Sequence, residues 1–144
     1  MTVRLNNAVI AAEKSRLGNE WGNRVGRRVQ NAARRRAPVD EGTLRNSIEY
    51  VVDVRGDRTH IVIGSPLTYA RYIHEGTGIY GPKGTPIVPV TRQALKFQVK
   101  GSSGRRRGGD ARWVFAKSVK GIRPNPFLID ALTDVMGSLT RRLR

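Results

Sequence analysis

Apolar residues in the first quarter of the chain recur at helical spacing. Leu5, Val9, Ala12, Leu17, Trp21, Val25, Val29 and Ala32 stand three to five residues apart with charges between them. This predicts a long amphipathic helix over 3–37. Pro38 stops it, because proline has no amide hydrogen and its ring clashes with the preceding turn. Gly18, Gly22 and Gly26 lie four apart, on one face of that helix. Each costs about 1 kcal/mol relative to alanine. The stripe has two readings: it admits another backbone, from this chain or a neighbour, or it marks a weak helix that breaks near Gly18–Asn19.

The period then changes. "APVDEGTLRNSI" (37–48) carries the turn residues Pro38, Asp40 and Gly42, and its end leads into a strand. Residues 47–54 and 59–65 are rich in β-branched side chains, with "RGDR" (55–58) as a hairpin turn between them. The "RGD" within it is read as a plain turn, not an adhesion ligand. Residues 66–78 suggest a short helical or irregular crossing in which Tyr69, Tyr72 and Ile73 share a face. Residues 79–93 read as an extended loop, because prolines and glycines interrupt regular structure.

Two further stretches alternate. In 94–100, Leu95, Phe97 and Val99 share a face; in 112–120, Trp113, Phe115, Lys117 and Val119 do. "GSSGRRRGGD" (101–110) lies between them, the expected tip of a long protruding β-hairpin bearing Arg105, Arg106 and Arg107. A last helix follows. Asn125 is its expected N-cap and Pro126 its first residue, with Phe127, Leu128, Ala131, Leu132, Val135, Met136 and Leu139 as the apolar stripe. The cations Arg141, Arg142 and Arg144 sit at its negative end, where the helix dipole favours them. No repeat and no domain boundary stands out, so the 144 residues are expected to form a single domain.

Charge changes the picture. Lys and Arg number 27 against 11 Asp and Glu, a net +16. The excess sits in two zones: residues 1–37 carry nine basic and two acidic side chains, and 101–120 carry six and one. An acidic partner is implied: nucleic acid, an anionic membrane or an acidic protein surface. The absence of cysteine excludes disulfides, thiolate metal sites and cysteine nucleophiles. No apolar run reaches the ~18 residues of a membrane span, and the first residues lack the apolar core of a secretion signal. The expected setting is a cytoplasm, with no membrane partner.

Catalytic signals are weak. Gly76, Gly78 and Gly81 have G-x-G-x-x-G spacing but run into "PKGTPIVP", which cannot open the helix that a dinucleotide site needs. His60 and His74 lack metal-ligand spacing, and Asp40 with Glu41 suits a turn better than acid–base work. The protein is read as non-enzymatic, with no cofactor and no metal. "ARRRA" (33–37) suits either a phosphate or the acidic residues of an adjoining subunit. The aromatics do not alternate with cations as a base-stacking platform would require.

Three segments in order carry a resemblance. "ARRRAPVDEGTLRNSI" is similar to a basic helix end followed by A-P-x-D-T-G-x-L-x-x-S-I, with Glu41 in place of the usual Thr. "YARYIHEGTG" is similar to Y-A-x-Y-x-E-x-G-T, and "RPNPFLIDAL" to R-P-x-P-F-L-x-x-A-L. Together they resemble the HK97 gp10-like tail-component family of long-tailed bacteriophages, related to minor tail protein Z and to tail-completion and tail-terminator proteins. The resemblance implies an α+β fold, an antiparallel sheet packed against a long N-terminal helix and a C-terminal helix. It implies a structural role in the virion neck, assembled in the host cytoplasm, in a ring commonly of six copies. The expected partners are other copies, the tail-tube protein and head-completion or connector proteins, with non-specific contact to packaged DNA in the lumen.

The expected assembly contacts are Arg34, Arg35, Arg36, Tyr69, Tyr72, Glu75, Arg105, Arg106, Arg107 and Arg123. The arginine tip is expected to reach an acidic surface of the particle, protein in preference to DNA, against the alternative of a solvated loop. A small basic nucleic-acid-binding protein is the competing reading of the whole chain.

Overall fold

A computed structural model, describing residues 6–99 and 112–142, carries the first helix unbroken from Asn7 to Arg36 (α1). Asn6 caps it: its side-chain oxygen accepts from the Ala8 and Val9 amides at 3.2 and 3.4 Å. Ala37 is the C-cap, its amide bonded to the Ala33 carbonyl, and Pro38 follows as expected. The contact pattern divides the chain into two compact units, Met1–Ala70 with Pro126–Arg144, and Arg71–Asn125.

In the first unit a one-turn helix, Thr43–Asn46 (α2), precedes β1 (Glu49–Arg55), where the sequence suggested a direct lead into the strand. β1 pairs antiparallel with β2 (Arg58–Gly64) from Glu49↔Gly64 to Arg55↔Arg58, leaving Gly56–Asp57 as the turn. The hairpin packs one face on α1. The glycine stripe explains how. A Cβ at Gly18 would meet Val54 and Thr59, one at Gly22 would meet Val52 and Thr59, and one at Gly26 would meet the Tyr50 ring. Four residues of helix rise about 6 Å, and two residues of strand about 6.7 Å. Each step up the stripe therefore matches one step down the inward face of β1. The next step obeys the same register: Gln30 Nε2 donates to the Ile48 carbonyl at 2.8 Å. The stripe thus receives side chains of this chain, not a second backbone, and the helix does not break at Gly18–Asn19.

The last helix, α4 (Phe127–Arg142), packs against α1. It starts one residue later than expected. The Pro126 carbonyl accepts the first helical bond, from the Asp130 amide at 3.0 Å, so Pro126 holds the capping position assigned to Asn125. Val25, Val29, Ala32 and Ala33 of α1 and Phe127, Ala131 and Val135 of α4 are buried, together with Leu44 and Ile48. The predicted stripe of α4 is only half buried, since Leu132 and Met136 are exposed. The front of α1 is uncovered in the same way: Leu17 and Trp21 continue the line of Val25 but are 51% and 44% exposed.

The second unit is built differently. An eight-residue helix, Thr68–Glu75 (α3), spans the junction of the two units, and a 3-10 turn at Gly78–Tyr80 follows. β3 (Leu95–Val99) and β4 (Arg112–Ala116) pair antiparallel, in register Leu95↔Ala116 to Val99↔Arg112. The fold is α+β as expected, but among the described residues the strands form two two-stranded sheets and not one. The tip assigned to 101–110 lies outside the described residues. Segment 119–122 is tied to the loop by backbone bonds: Thr77 N to Ile122 O, Ile79 N to Lys120 O, and a two-way bridge between Ile87 and Val119, all at 2.8–2.9 Å. Gly78 and Gly121 make this crossing possible. Both have positive φ, 64° and 93°, and a Cβ on either would overlap the opposite backbone, at Lys120 and Thr77 respectively.

Candidate functional site

The basic end of α1 is not one uniform patch. Arg34 is engaged inside its unit: its Nη2 donates to the Ile48 carbonyl at 3.0 Å beside Gln30, and its Nε is buried without an acceptor. Arg35 is exposed. Arg36 pairs with Asp134 of α4, an ion pair open to solvent and so worth at most about 1 kcal/mol. Arg28, Arg35, Arg36, Asp134 and Ser138 line a cleft of about 440 Å³ between the two helices. At the other end of α1, Arg16 binds Glu13 and Glu20, and its guanidinium holds the Glu13 carboxyl below the usual carboxylate range.

The remaining expected contacts are distributed over both units. Tyr69 is 42% exposed and Tyr72 is 56% exposed. The Glu75 carboxylate accepts from Arg71 Nε at 3.1 Å, one helical turn back. The Arg123 guanidinium lies over the Tyr80 ring, 5.5 Å from its centroid. Arg105, Arg106 and Arg107 lie outside the described residues.

The structure adds a cluster that the linear reading passed over. Lys96 of β3 stands across the strands from Phe115 and places its ammonium 4.4 Å from the Trp113 centroid and 5.9 Å from that of Phe115. Both rings are exposed, at 52% and 66%. Aromatic and cationic side chains therefore do interleave, contrary to the sequence expectation. The missed signal was the pattern of residues 112–117, which sets Trp113, Phe115 and Lys117 on alternate positions; the pairing across the ladder supplies Lys96.

The glycine pattern at 76–81 has a structural cause. Gly76 approaches the backbone at Ile122 and Pro124, and Gly78 approaches Lys120, so these glycines serve contacts between loops. His60 sits opposite Asp53 in the β1–β2 register. Among the described residues no three His, Cys, Asp or Glu side chains are grouped to hold a metal ion. No helix among them is long and apolar enough to cross a membrane.

No match to the chain was found among curated proteins or among solved structures. A family model, described as "Bacteriophage HK97-gp10, putative tail-component", matches residues 9–76. The match takes in α1, α2, the β1–β2 hairpin and α3, including the first of the three quoted segments and most of the second. Over residues 9–76, somewhat less than half of the chain, the protein is therefore similar to the HK97 gp10-like putative tail components of phages.

Proposed function

We propose that the protein is a structural subunit of the virion neck. Copies of it form a ring, six being the expected number, that completes the tail or joins it to the head. Its neighbours are the tail-tube protein and head-completion or connector proteins. The observation that carries this reading is the apolar balance of the second unit. Among the described residues of Arg71–Asn125 no large apolar side chain is buried. Besides the Trp113 and Phe115 rings, eight large apolar side chains there are exposed, among them Val90 at 96%, Ile122 at 61% and Val88 at 54%. A unit whose described residues bury no large apolar side chain fully, and which shows this much apolar surface, is stabilised when partners cover it. The uncovered line of Leu17 and Trp21 on α1 adds a second apolar surface, on the other unit. Two unlike sticky surfaces on one chain suit a heterologous interface, which closes into a ring when the rotation between copies allows it. Among the described residues the expected contacts Arg35, Arg36, Tyr69, Tyr72, Glu75 and Arg123 are exposed to such interfaces, Arg36 and Glu75 within ion pairs of their own unit. The structural role requires no catalytic group.

Light scattering of the full chain at rising concentration tests this. The expected mass is a small multiple of the 16.0 kDa chain, with Trp21→Asp shifting the population to single subunits. A chain that stays a monomer at every concentration, and that is missing from purified tails, refutes the proposal.

A further inference from the structure

The second unit holds 12 of the 27 basic residues and only two of the 11 acidic ones, a net +10 in 55 residues. One of those two carboxylates, Glu75, is already paired with Arg71. The same unit leaves four of its five aromatic side chains exposed: Tyr72, Tyr80, Trp113 and Phe115. Trp113 and Phe115 share one face of the β3–β4 ribbon with Lys96 between them, and no carboxylate meets Lys96 among the described residues. We propose that this face is a docking surface for single-stranded nucleic acid, with Trp113 and Phe115 stacking on bases and Lys96 meeting the phosphates.

Charge selects the class of occupant. A second copy would bring the same cationic unit. Several carboxylates of the other unit are also already ion-paired within the chain: Glu13 and Glu20 with Arg16, Asp53 with Arg55, and Asp134 with Arg36. An acidic protein would use the cations but not the ring faces. A nucleic acid uses both, because phosphate is drawn to ammonium and every base has a π face to stack.

Geometry then selects the single strand. Alternate residues of a strand stand about 6.7 Å apart, so each ring can take its own base. Bases in a duplex are stacked about 3.4 Å apart along each strand and present no open face. This property is independent of ring formation.

The test uses the full chain carrying Trp21→Phe, so that Trp113 is the remaining tryptophan. The probes are an oligothymidylate of about 12 nucleotides, within the ~4–16 nucleotide site sizes of small single-strand binders, a duplex of equal length, and polyglutamate. Expected are quenching of Trp113 fluorescence by the oligothymidylate and tighter binding of it than of the duplex. Phe115→Ala should weaken single-strand binding about 5- to 150-fold, the range for one lost stacking contact. Lys96→Gln should lower the salt slope by about 0.7, the value for one phosphate contact on a single strand. Since both substituted side chains are exposed, unchanged circular dichroism should accompany these losses. Equal or tighter duplex binding that ignores Phe115→Ala overturns the proposal in favour of plain charge attraction. Polyglutamate binding of equal strength, with the same quenching, overturns it in favour of an acidic protein. The light-scattering mass of the same samples reports separately on the ring.

Discussion

Replacing Gly22 or Gly26 with alanine should destabilise the protein, although alanine is the better helix former. The gain is about 1 kcal/mol per site in a helix interior. The loss is set by the seam. A Cβ at Gly22 lies 2.5 Å from Val52 Cγ1 and 3.0 Å from Thr59 Cγ2, against about 3.5–4.0 Å for ordinary carbon contacts. Val52 cannot easily turn aside, because a β-branched side chain is stiff at χ1. At Gly26 the Cβ meets the Tyr50 ring near its base, with Cγ at 3.0 Å, and the Tyr50 hydroxyl is bonded to Asn23. The helix must therefore lift from the sheet by about 1 Å, and overpacking of this kind costs about 1–3 kcal/mol. Each substitution is expected to lower stability by up to about 2 kcal/mol net. Gly137 in α4 is the control, since nothing lies within 4 Å of its Cβ position; there alanine should stabilise by about 1 kcal/mol. Urea unfolding followed by far-ultraviolet circular dichroism reads the difference, because α1 and α4 supply most of the helix. Val52→Ala combined with Gly22→Ala should cost less than the sum of the two, as the removed methyls make room. If Gly22→Ala and Gly26→Ala raise the midpoint as Gly137→Ala does, the stripe is not the helix–sheet seam.

The buried Ile48 carbonyl accepts from both Gln30 and Arg34, so either Gln30→Ala or Arg34→Ala alone should be mild. The double variant orphans the carbonyl and should cost an extra ~1–3 kcal/mol, read as positive coupling in a double-mutant cycle by urea unfolding. Gly121→Ala forces a side chain into the left-handed region and onto the Thr77 backbone; hydrogen exchange should show lost protection of the Thr77 and Ile79 amides while α1 stays protected. The Glu13 carboxyl is held low by its bond to Arg16, so its NMR titration midpoint should rise in Arg16→Gln. Because the folded-state value is depressed, the stabilisation is present above the ordinary carboxylate range and fades as pH falls through the folded midpoint.

The sequence by itself determined the parts whose cause is local. Helical spacing of apolar residues up to Pro38 specified α1. Alternating β-branched residues around "RGDR" specified the β1–β2 hairpin, and the stripe from Phe127 specified α4. Each depends on residues a few places apart, so periodicity and turn chemistry sufficed. The tertiary structure decided everything in which distant residues meet. Whether the glycines of α1 break it or seat a partner depended on Tyr50, Val52 and Val54, a hairpin away. Which half of the α4 stripe is covered depended on α1. The prolines after Gly81 already ruled out a nucleotide site at 76–81, but the close approach of residues 120–124 that these glycines admit was visible only in the structure. Alternation along β4 already set Trp113, Phe115 and Lys117 on one face, but the addition of Lys96 beside Trp113 depended on the pairing of β3 with β4. A linear pattern encodes which face a side chain takes along its own element; what stands opposite that face is set by packing.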